Sequence, residues 1–365
     1  KAKEKGDEMS IKRIAELSGV SPATVSRVLN HPEYKCQSPE VRERIWKAAM
    51  QLGYTPNQAA RNLKLGIAAE QKIYYIGVLM TRTENATADP FFGELLRVIE
   101  SEIHKQAAIL AKVWYLPLFS NDKKCRTENL DRIIDEMYRK TICVCDGLII
   151  IGKCNKEALK KLNKKYKCVV SVNRNSTNYE VDEVLCDGKK VAAMAVEYLI
   201  SLGHRNIGYV GECYNEARYA GFLETMRKHE IEPDPSMIIQ THQTETEGFH
   251  AMQRIFQEED RPTGIYCAND ITAVGMLKCL AKYKNYYYTP SIISGDDIEE
   301  AQCTRPMLTT VSIPREEMGK FAMQLLLDRL RGGHRSVVRL ELEGRLMIRD
   351  SCAPVDESGW SDYCI

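Results

Sequence analysis

Residues Gly19-Val20-Ser21-Pro22-Ala23-Thr24-Val25-Ser26-Arg27-Val28-Leu29-Asn30 spell out a turn followed by a short helix. Gly19 permits the tight turn that ends one helix. Ser21 is a good N-cap, and Pro22 falls at the first helical position, where its missing N–H costs nothing. Val25, Val28 and Leu29 then share one face and point to a core. Polar Thr24, Ser26 and Arg27 are left on the outer side. Upstream, Ser10 is placed to cap a helix over Ile11–Ser18, with Ile11, Ile14, Ala15 and Leu17 expected inward. Two short helices joined by a glycine-containing turn form a helix-turn-helix.

Downstream, Ser38-Pro39 repeats the cap-plus-proline start. Val41, Ile45, Ala48, Ala49 and Leu52 follow at helical spacing, and Gly53 stops the helix. Three such helices close a small, marginal core, as expected of a head that relies on DNA or a partner chain. Charge supports the first. Residues 9–66 hold nine Lys/Arg and four Asp/Glu, a net +5, whereas the whole 365-residue chain has +1. A basic head on a mildly acidic body implies a polyanion partner for the head alone.

From Ile73 the pattern changes. Ile73–Met80 is a nearly continuous apolar run, the signature of a strand covered on both faces. Similar runs lie at Lys112–Leu118, Gly147–Ile151, Cys168–Val172, Ile207–Gly211, Gly264–Cys267 and Ile292–Ser294. Helical stretches separate them, at about 90–106, 127–140, 155–164, 188–202, 216–229, 245–258, 270–283 and 315–331. Strands alternating with helices call for parallel sheets with helices on both faces, and so many units call for two α/β lobes. Ligands bind such lobes in the crevice outside the carboxyl ends of the strands.

The stretch 19–30 closely resembles the DNA-binding head of the lactose/galactose repressor (LacI/GalR) family. So does Leu52-Gly53-Tyr54-Thr55-Pro56-Asn57-Gln58-Ala59-Ala60-Arg61-Asn62-Leu63. Residues 72–350 resemble that family's effector core, itself similar to periplasmic sugar-binding proteins. The markers are Asp89-Pro90-Phe91-Phe92, Asp146-Gly147, Leu202-Gly203-His204-Arg205-Asn206-Ile207-Gly208, Arg218-Tyr219-Ala220-Gly221-Phe222, Ala268-Asn269-Asp270 and Pro306-Met307-Leu308-Thr309-Thr310-Val311. The resemblance implies an all-α helix-turn-helix head on a two-lobed, periplasmic-binding-protein-like α/β core. The expected divisions are 9–56 for the head, 57–71 for a hinge helix and linker, 72–350 for the core and 351–365 for a tail. Within the core, the N-lobe is expected at about 72–173 plus 301–335, and the C-lobe at about 174–300 plus 336–350.

The resemblance also assigns roles. Pro22, Ala23 and Arg27 would read base edges in the major groove. An arginine there can fork onto guanine O6 and N7, and apolar Pro22 and Ala23 suit a thymine methyl. Thr24, Ser26 and Asn30 would hold phosphates and set register. Asn57, Ala60 and Leu63 match the hinge, whose leucine wedges into a minor-groove base step. In the core, Phe91, Arg174, Arg218, Gln243, Asn269 and Asp296 would line the effector cleft, with Phe91 stacking on a sugar ring. Alternatively, Arg218 and Asp296 would pair with each other and close an empty cleft. His204 reads as a turn residue. Gly295 stands where the family usually has an aromatic residue, implying a missing pocket wall or a larger ligand.

The expected function is a sequence-specific transcriptional regulator, a repressor of carbohydrate-utilisation genes. Its expected partners are double-stranded pseudo-palindromic operator DNA, a second copy of the chain, and a small effector, a sugar. The alternatives are the same fold answering to a protein corepressor or a non-sugar metabolite and, more distantly, a solute-binding protein. Catalysis is not expected: Gly-x-Ser-x-Gly, a Walker loop and Gly-x-Gly-x-x-Gly after the first strand are missing. No cofactor or metal is expected either. The 13 cysteines include no Cys-x-x-Cys, and the Cys143/Cys145 pair is read with the rest as scattered reduced thiols. No run is long and apolar enough to span a membrane, and Lys1–Glu8 lacks a signal-peptide core, so a cytoplasmic location is expected. The tail shows no leucine heptads, which leaves tetramerisation by a coiled coil without support.

Overall fold

The computed structural model describes residues 11–30, 34, 38–52, 72–85, 88–139, 145–283 and 288–355. The hinge residues Asn57, Ala60 and Leu63, the capping Ser10, Cys143 and the tail beyond 355 lie outside the described residues. Two compact units divide the chain between Tyr74 and Tyr75.

The first unit contains α1 (Ile11–Ser18), α2 (Pro22–Asn30) and α3 (Pro39–Gln51). Ile14, Val25, Val28, Leu29, Ile45 and Ala48 close one core. Ser21 caps α2 by accepting from Thr24 N at 3.1 Å. Gly19 between α1 and α2 has φ +67°, the left-handed turn that a glycine adopts without strain. One inward expectation fails: Leu17 is 51% exposed, and Ser18 is buried instead. Ser18 can be buried because its hydroxyl donates to Ile14 O at 2.6 Å, which removes the cost of a lone polar group.

The second unit runs β1 (Tyr75–Met80), α4 (Pro90–Lys105), β2 (Ile109–Tyr115), α5 (Asp122–Thr127), α6 (Leu130–Arg139), β3 (Gly147–Ile151), α7 (Lys156–Lys165), β4 (Val169–Asn173) and β5 (Asp182–Leu185). It continues with α8 (Gly188–Ser201), β6 (Ile207–Gly211), α9 (Ala217–Lys228), β7 (Ile238–Gln240), α10 (Glu245–Ile255), β8 (Gly264–Cys267), α11 (Asp270–Tyr283) and β9 (Ser291–Asp296). The last elements are α12 (Glu299–Cys303), β10 (Thr309–Ser312), α13 (Arg315–Leu330), β11 (Arg339–Glu341) and β12 (Arg345–Met347).

The strands form two six-stranded sheets, ordered β2-β1-β3-β4-β5-β11 and β7-β6-β8-β9-β10-β12. All pairings are parallel except β10 with β12. β1, β3, β6 and β8 are buried along their whole length, as their apolar runs require, and β9 is too although it carries Ser291, Ser294 and Asp296.

The sheets redraw the expected lobe limits. β5 joins the first sheet, so the N-lobe extends past residue 173. β10 belongs to the second sheet, whereas α13 packs on α4 and on β3, β4 and β5. β11 returns to the first sheet, and β12 to the second. The chain therefore crosses between lobes after β5, after β10 and after β11. Two further expectations move. The strand placed at Lys112–Leu118 lies at Ile109–Tyr115, ahead of Pro117, which has no amide hydrogen for a ladder. The helix placed at 127–140 is α6, and a further short helix that was not expected, α5, precedes it. Asn121 starts α5 by accepting from Lys123 N and Lys124 N, both at 3.0 Å.

Asp182 and Glu183, adjacent carboxylates of a kind that usually lies on the surface, are 1% and 2% exposed. Arg329 reaches Asp182 from α13, and Ser176 and Thr177 donate to Glu183, so both charges are compensated. His204, read as a turn residue, is buried beside Thr263, Ser291 and the Ala353 carbonyl. Ten cysteines within the described residues are free thiols. Among the described residues, no helix is long and apolar enough to cross a membrane.

Candidate functional site

On the head, α2 turns Val25, Val28 and Leu29 into the core and leaves Pro22, Ala23 and Arg27 exposed. Thr24 and Ser26 are half-buried. The Thr24 hydroxyl lies 2.9 Å from Ser21 Oγ, within the cap, which ties it to the start of α2. The Arg27 guanidinium lies over the Tyr34 ring, 5.9 Å from its centre. That contact limits the long side chain's freedom without burying its donors. Asn30 ends α2.

On the body, the cleft lies where strands end at their carboxyl side. Arg82 follows β1, Lys153 follows β3, and Arg174 follows β4. Glu212 follows β6, Gln243 follows β7, Asn269 follows β8, and Asp296 ends β9. Asp89 caps α4 by accepting from Phe92 N, which sets Phe91 at the helix start.

Phe91, Arg174 and Asp296 come together. The Arg174 guanidinium carbon lies 4.1 Å from the Phe91 ring centre, and its Nη2 pairs with Asp296 Oδ1. Arg174 and Asp296 are 7% and 2% exposed. Neither Nη2 nor Oδ1 has a hydrogen-bond partner among the described residues. Burial pushes the Asp296 carboxyl up, while the Arg174 charge against it pulls it back towards the ionised form.

Arg218 and Gln243 come together in a second group. Arg218 donates to Glu216 Oε1 at 2.8 Å, to Ala268 O at 2.5 Å and to Gln243 Oε1 at 3.0 Å. Burial would raise Glu216, but the Arg218 charge and hydrogen bond outweigh it and hold the carboxyl at about 2. Asn269 Nδ2 donates to Gln243 O at 3.2 Å, and its Oδ1 accepts from Thr272 at 2.6 Å. It thus fastens the Gln243 loop to α11. The pairing considered between Arg218 and Asp296 does not form. Arg174 takes Asp296, and Glu216 takes Arg218. Glu216 escaped the sequence reading, although its place just before Ala217-Arg218, at the cap of α9, was a usable signal.

Gly295 does not line the cleft. A Cβ there would meet Val191 Cγ1 at 2.9 Å, so a side chain would enter the packing beneath α8. Its lack of a side chain therefore removes no pocket wall. The cavity among Phe91, Phe92, Arg174, Glu216, Arg218 and Met318 has a free volume of about 20 Å³, about one water. The cleft is shut. Polar contacts seal its mouth between lobes: Arg82–Glu212 at 2.8 Å, Lys153–Glu212 at 3.5 Å, and Asn215 Nδ2 to Asp122 Oδ2 at 3.0 Å.

A helix-turn-helix unit in one chain with a two-lobed parallel-sheet body defines a class of DNA-binding transcriptional regulators built on a periplasmic-binding scaffold. Residues 10–57 match the lacI family of bacterial regulatory proteins, and residues 196–352 match the periplasmic binding protein-like domain. The chain thus joins a lacI-family helix-turn-helix region to a periplasmic-binding-like domain. It is 29% identical over 355 residues to the HTH-type transcriptional repressor PurR of Salmonella arizonae, covering 94% of this chain and 97% of that protein. Two solved structures share the fold. The lac repressor dimer bound to operator and the anti-inducer ONPF has a TM-score of 0.65 at 21% identity, over 93% of this chain and 97% of that one. The transcriptional regulator CelR–cellobiose complex has 0.66 at 21%, over 94% and 99%. These relatives are regulators, not enzymes.

Proposed function

We propose that the chain is a transcriptional repressor that binds a pseudo-palindromic operator as a homodimer and answers to a small effector in the interlobe cleft. The observation that carries the DNA half is α2, which buries its apolar side and presents Pro22, Ala23 and Arg27 outward. Two-fold symmetry in a dimer would be matched by two half-sites in the duplex. The hinge assignment of Asn57, Ala60 and Leu63 stays part of this proposal.

A sugar effector is the reading drawn from sequence. Two observations weigh towards a planar, nitrogen-bearing effector such as a purine. The full-length relative at 29% identity is named PurR. In the cleft, Phe91 stacks on a planar guanidinium, and buried charges outnumber neutral hydroxyl partners. Selection of bound duplexes from a random library by the full-length protein tests the DNA half. Enrichment of one inverted repeat is expected. Recovery of unrelated duplexes with a strong salt dependence alone would remove the reading, because phosphate contacts carry no sequence information.

A further inference from the structure

We propose that Arg174 is a built-in stand-in for the effector, and that the cleft selects a ligand with a planar amidine- or guanidine-like edge, which enters by displacing Arg174. The inference rests on the proposed role of the cleft as the effector site, and it names the chemistry of that ligand.

The guanidinium group sits where a ligand would. It stacks on Phe91 from the N-lobe and meets Asp296 of the C-lobe, and almost no free volume remains. The fit is imperfect. A planar pair of N–H groups and a carboxylate bind best as a fork, with two parallel hydrogen bonds. Here Nη2 and Oδ1 face each other without hydrogen-bond alignment, and neither has another partner among the described residues. A free ligand can rotate into the fork that a tethered side chain misses. In its present position Arg174 already feels the charge of Arg218 and, against it, the carboxylates of Asp89 and Glu216, so acceptors lie near it once it leaves Asp296. Arg218 needs no ligand, because Glu216, Gln243 and the Ala268 carbonyl already engage it. A polyol offers Asp296 only neutral hydroxyls while forcing a buried ion pair apart, which is a poor exchange.

Removing the tether should leave a guanidinium-shaped seat. In full-length Arg174→Ala, ethylguanidinium at millimolar concentration should raise Tm saturably. It should not do so in wild type or in Arg174→Ala/Asp296→Asn, and methylammonium should not replace it. Benzamidine, which joins an amidine edge to a ring, should bind Arg174→Ala at least tenfold more tightly than wild type by titration calorimetry. Asp296→Asn should abolish its binding to wild type, a comparison that does not depend on Arg174→Ala folding. Equal response of wild type and Arg174→Ala to both probes would overturn the proposal. So would benzamidine binding that survives Asp296→Asn, or no binding to any form. Operator binding, measured on the same preparations, separates the two readings. Failed rescue with intact operator binding removes the stand-in alone. Missing operator binding removes the regulator reading and leaves the ligand result standing.

Discussion

On the proposal that α2 reads base edges, Arg27 should carry the largest share of base discrimination, since it is exposed and its fork suits a guanine edge. Arg27→Ala is expected to cost about 1–3 kcal/mol on the preferred operator and to flatten preference at one base pair. Binding measured across single-base operator variants checks this, and an unchanged preference counts against the assignment. A second residue-scale prediction concerns pH. On β5, Asp182 receives Arg329 Nη2 at 2.6 Å and Val338 N at 2.8 Å, and faces His334 Nε2 at 2.9 Å. Burial would raise Asp182, but these donors hold it below the usual carboxylate range. Burial would lower His334, but its bonds to Asp328 and Asp182 raise it above its ordinary value of 6.5. A raised histidine contributes fully below its unfolded pKa, and the contribution is lost as pH rises through the folded value. A lowered aspartate contributes above its unfolded pKa and loses this as pH falls through the folded value. The anchor is therefore strongest at mildly acidic pH. From about pH 6 to about pH 8, wild type should lose Tm relative to His334→Gln. Parallel Tm profiles would show that the histidine does not couple to folding.

Among the elements, α10 and α11 make the tightest crossing. A Cβ on Gly248 would lie 2.0 Å from Thr272 O, and one on Gly275 would lie 1.9 Å from Glu245 O. The backbones touch, and no rotamer change can make room. Gly248→Ala and Gly275→Ala should each destabilise by at least about 1–3 kcal/mol, read as a fall in Tm. A neutral Gly275→Ala would mean that the helices separate freely. This crossing also shows what the sequence could disclose. The helices were legible from their periodicity, but a glycine in a helix does not announce which backbone it meets. Long strands such as β1 and β3 were legible because both faces are covered. β5, β7, β10, β11 and β12 were missed, because three or four residues show no period and Asp182-Glu183 looks like solvated surface. The six residues proposed for the cleft came from motifs. Their pairing did not, because Arg174 and Asp296 sit on different sheets, and only the three crossings between lobes bring them face to face.

At the scale of the whole body, closure is held by contacts that the chain supplies itself. Glu212 is the shared anchor. It faces Arg82 and Lys153, both from the opposite lobe, and its side chain is 21% exposed. Lys153 also donates to Tyr214 O at 3.0 Å, and Asn175 Oδ1 accepts from Ala217 N at 2.8 Å. Single half-exposed pairs contribute only about 0–1 kcal/mol each. One carboxylate facing two cations is different, because its loss leaves Arg82 and Lys153 with like charges at the same edge. Glu212→Gln keeps the shape and removes the charge. It should shift the balance towards open by about 1.4 kcal/mol, roughly tenfold in population. Small-angle scattering should then show a larger radius of gyration for ligand-free Glu212→Gln than for wild type. High salt should move wild type in the same direction, because screening weakens exposed pairs. The Arg174–Asp296 pair is buried and should resist that screening, so the salt response should stop short of full opening until Arg174 is also replaced. Equal scattering from wild type, Glu212→Gln and Glu212→Gln/Arg174→Ala would place the energy of closure in the packing of the lobes and not in these ion pairs.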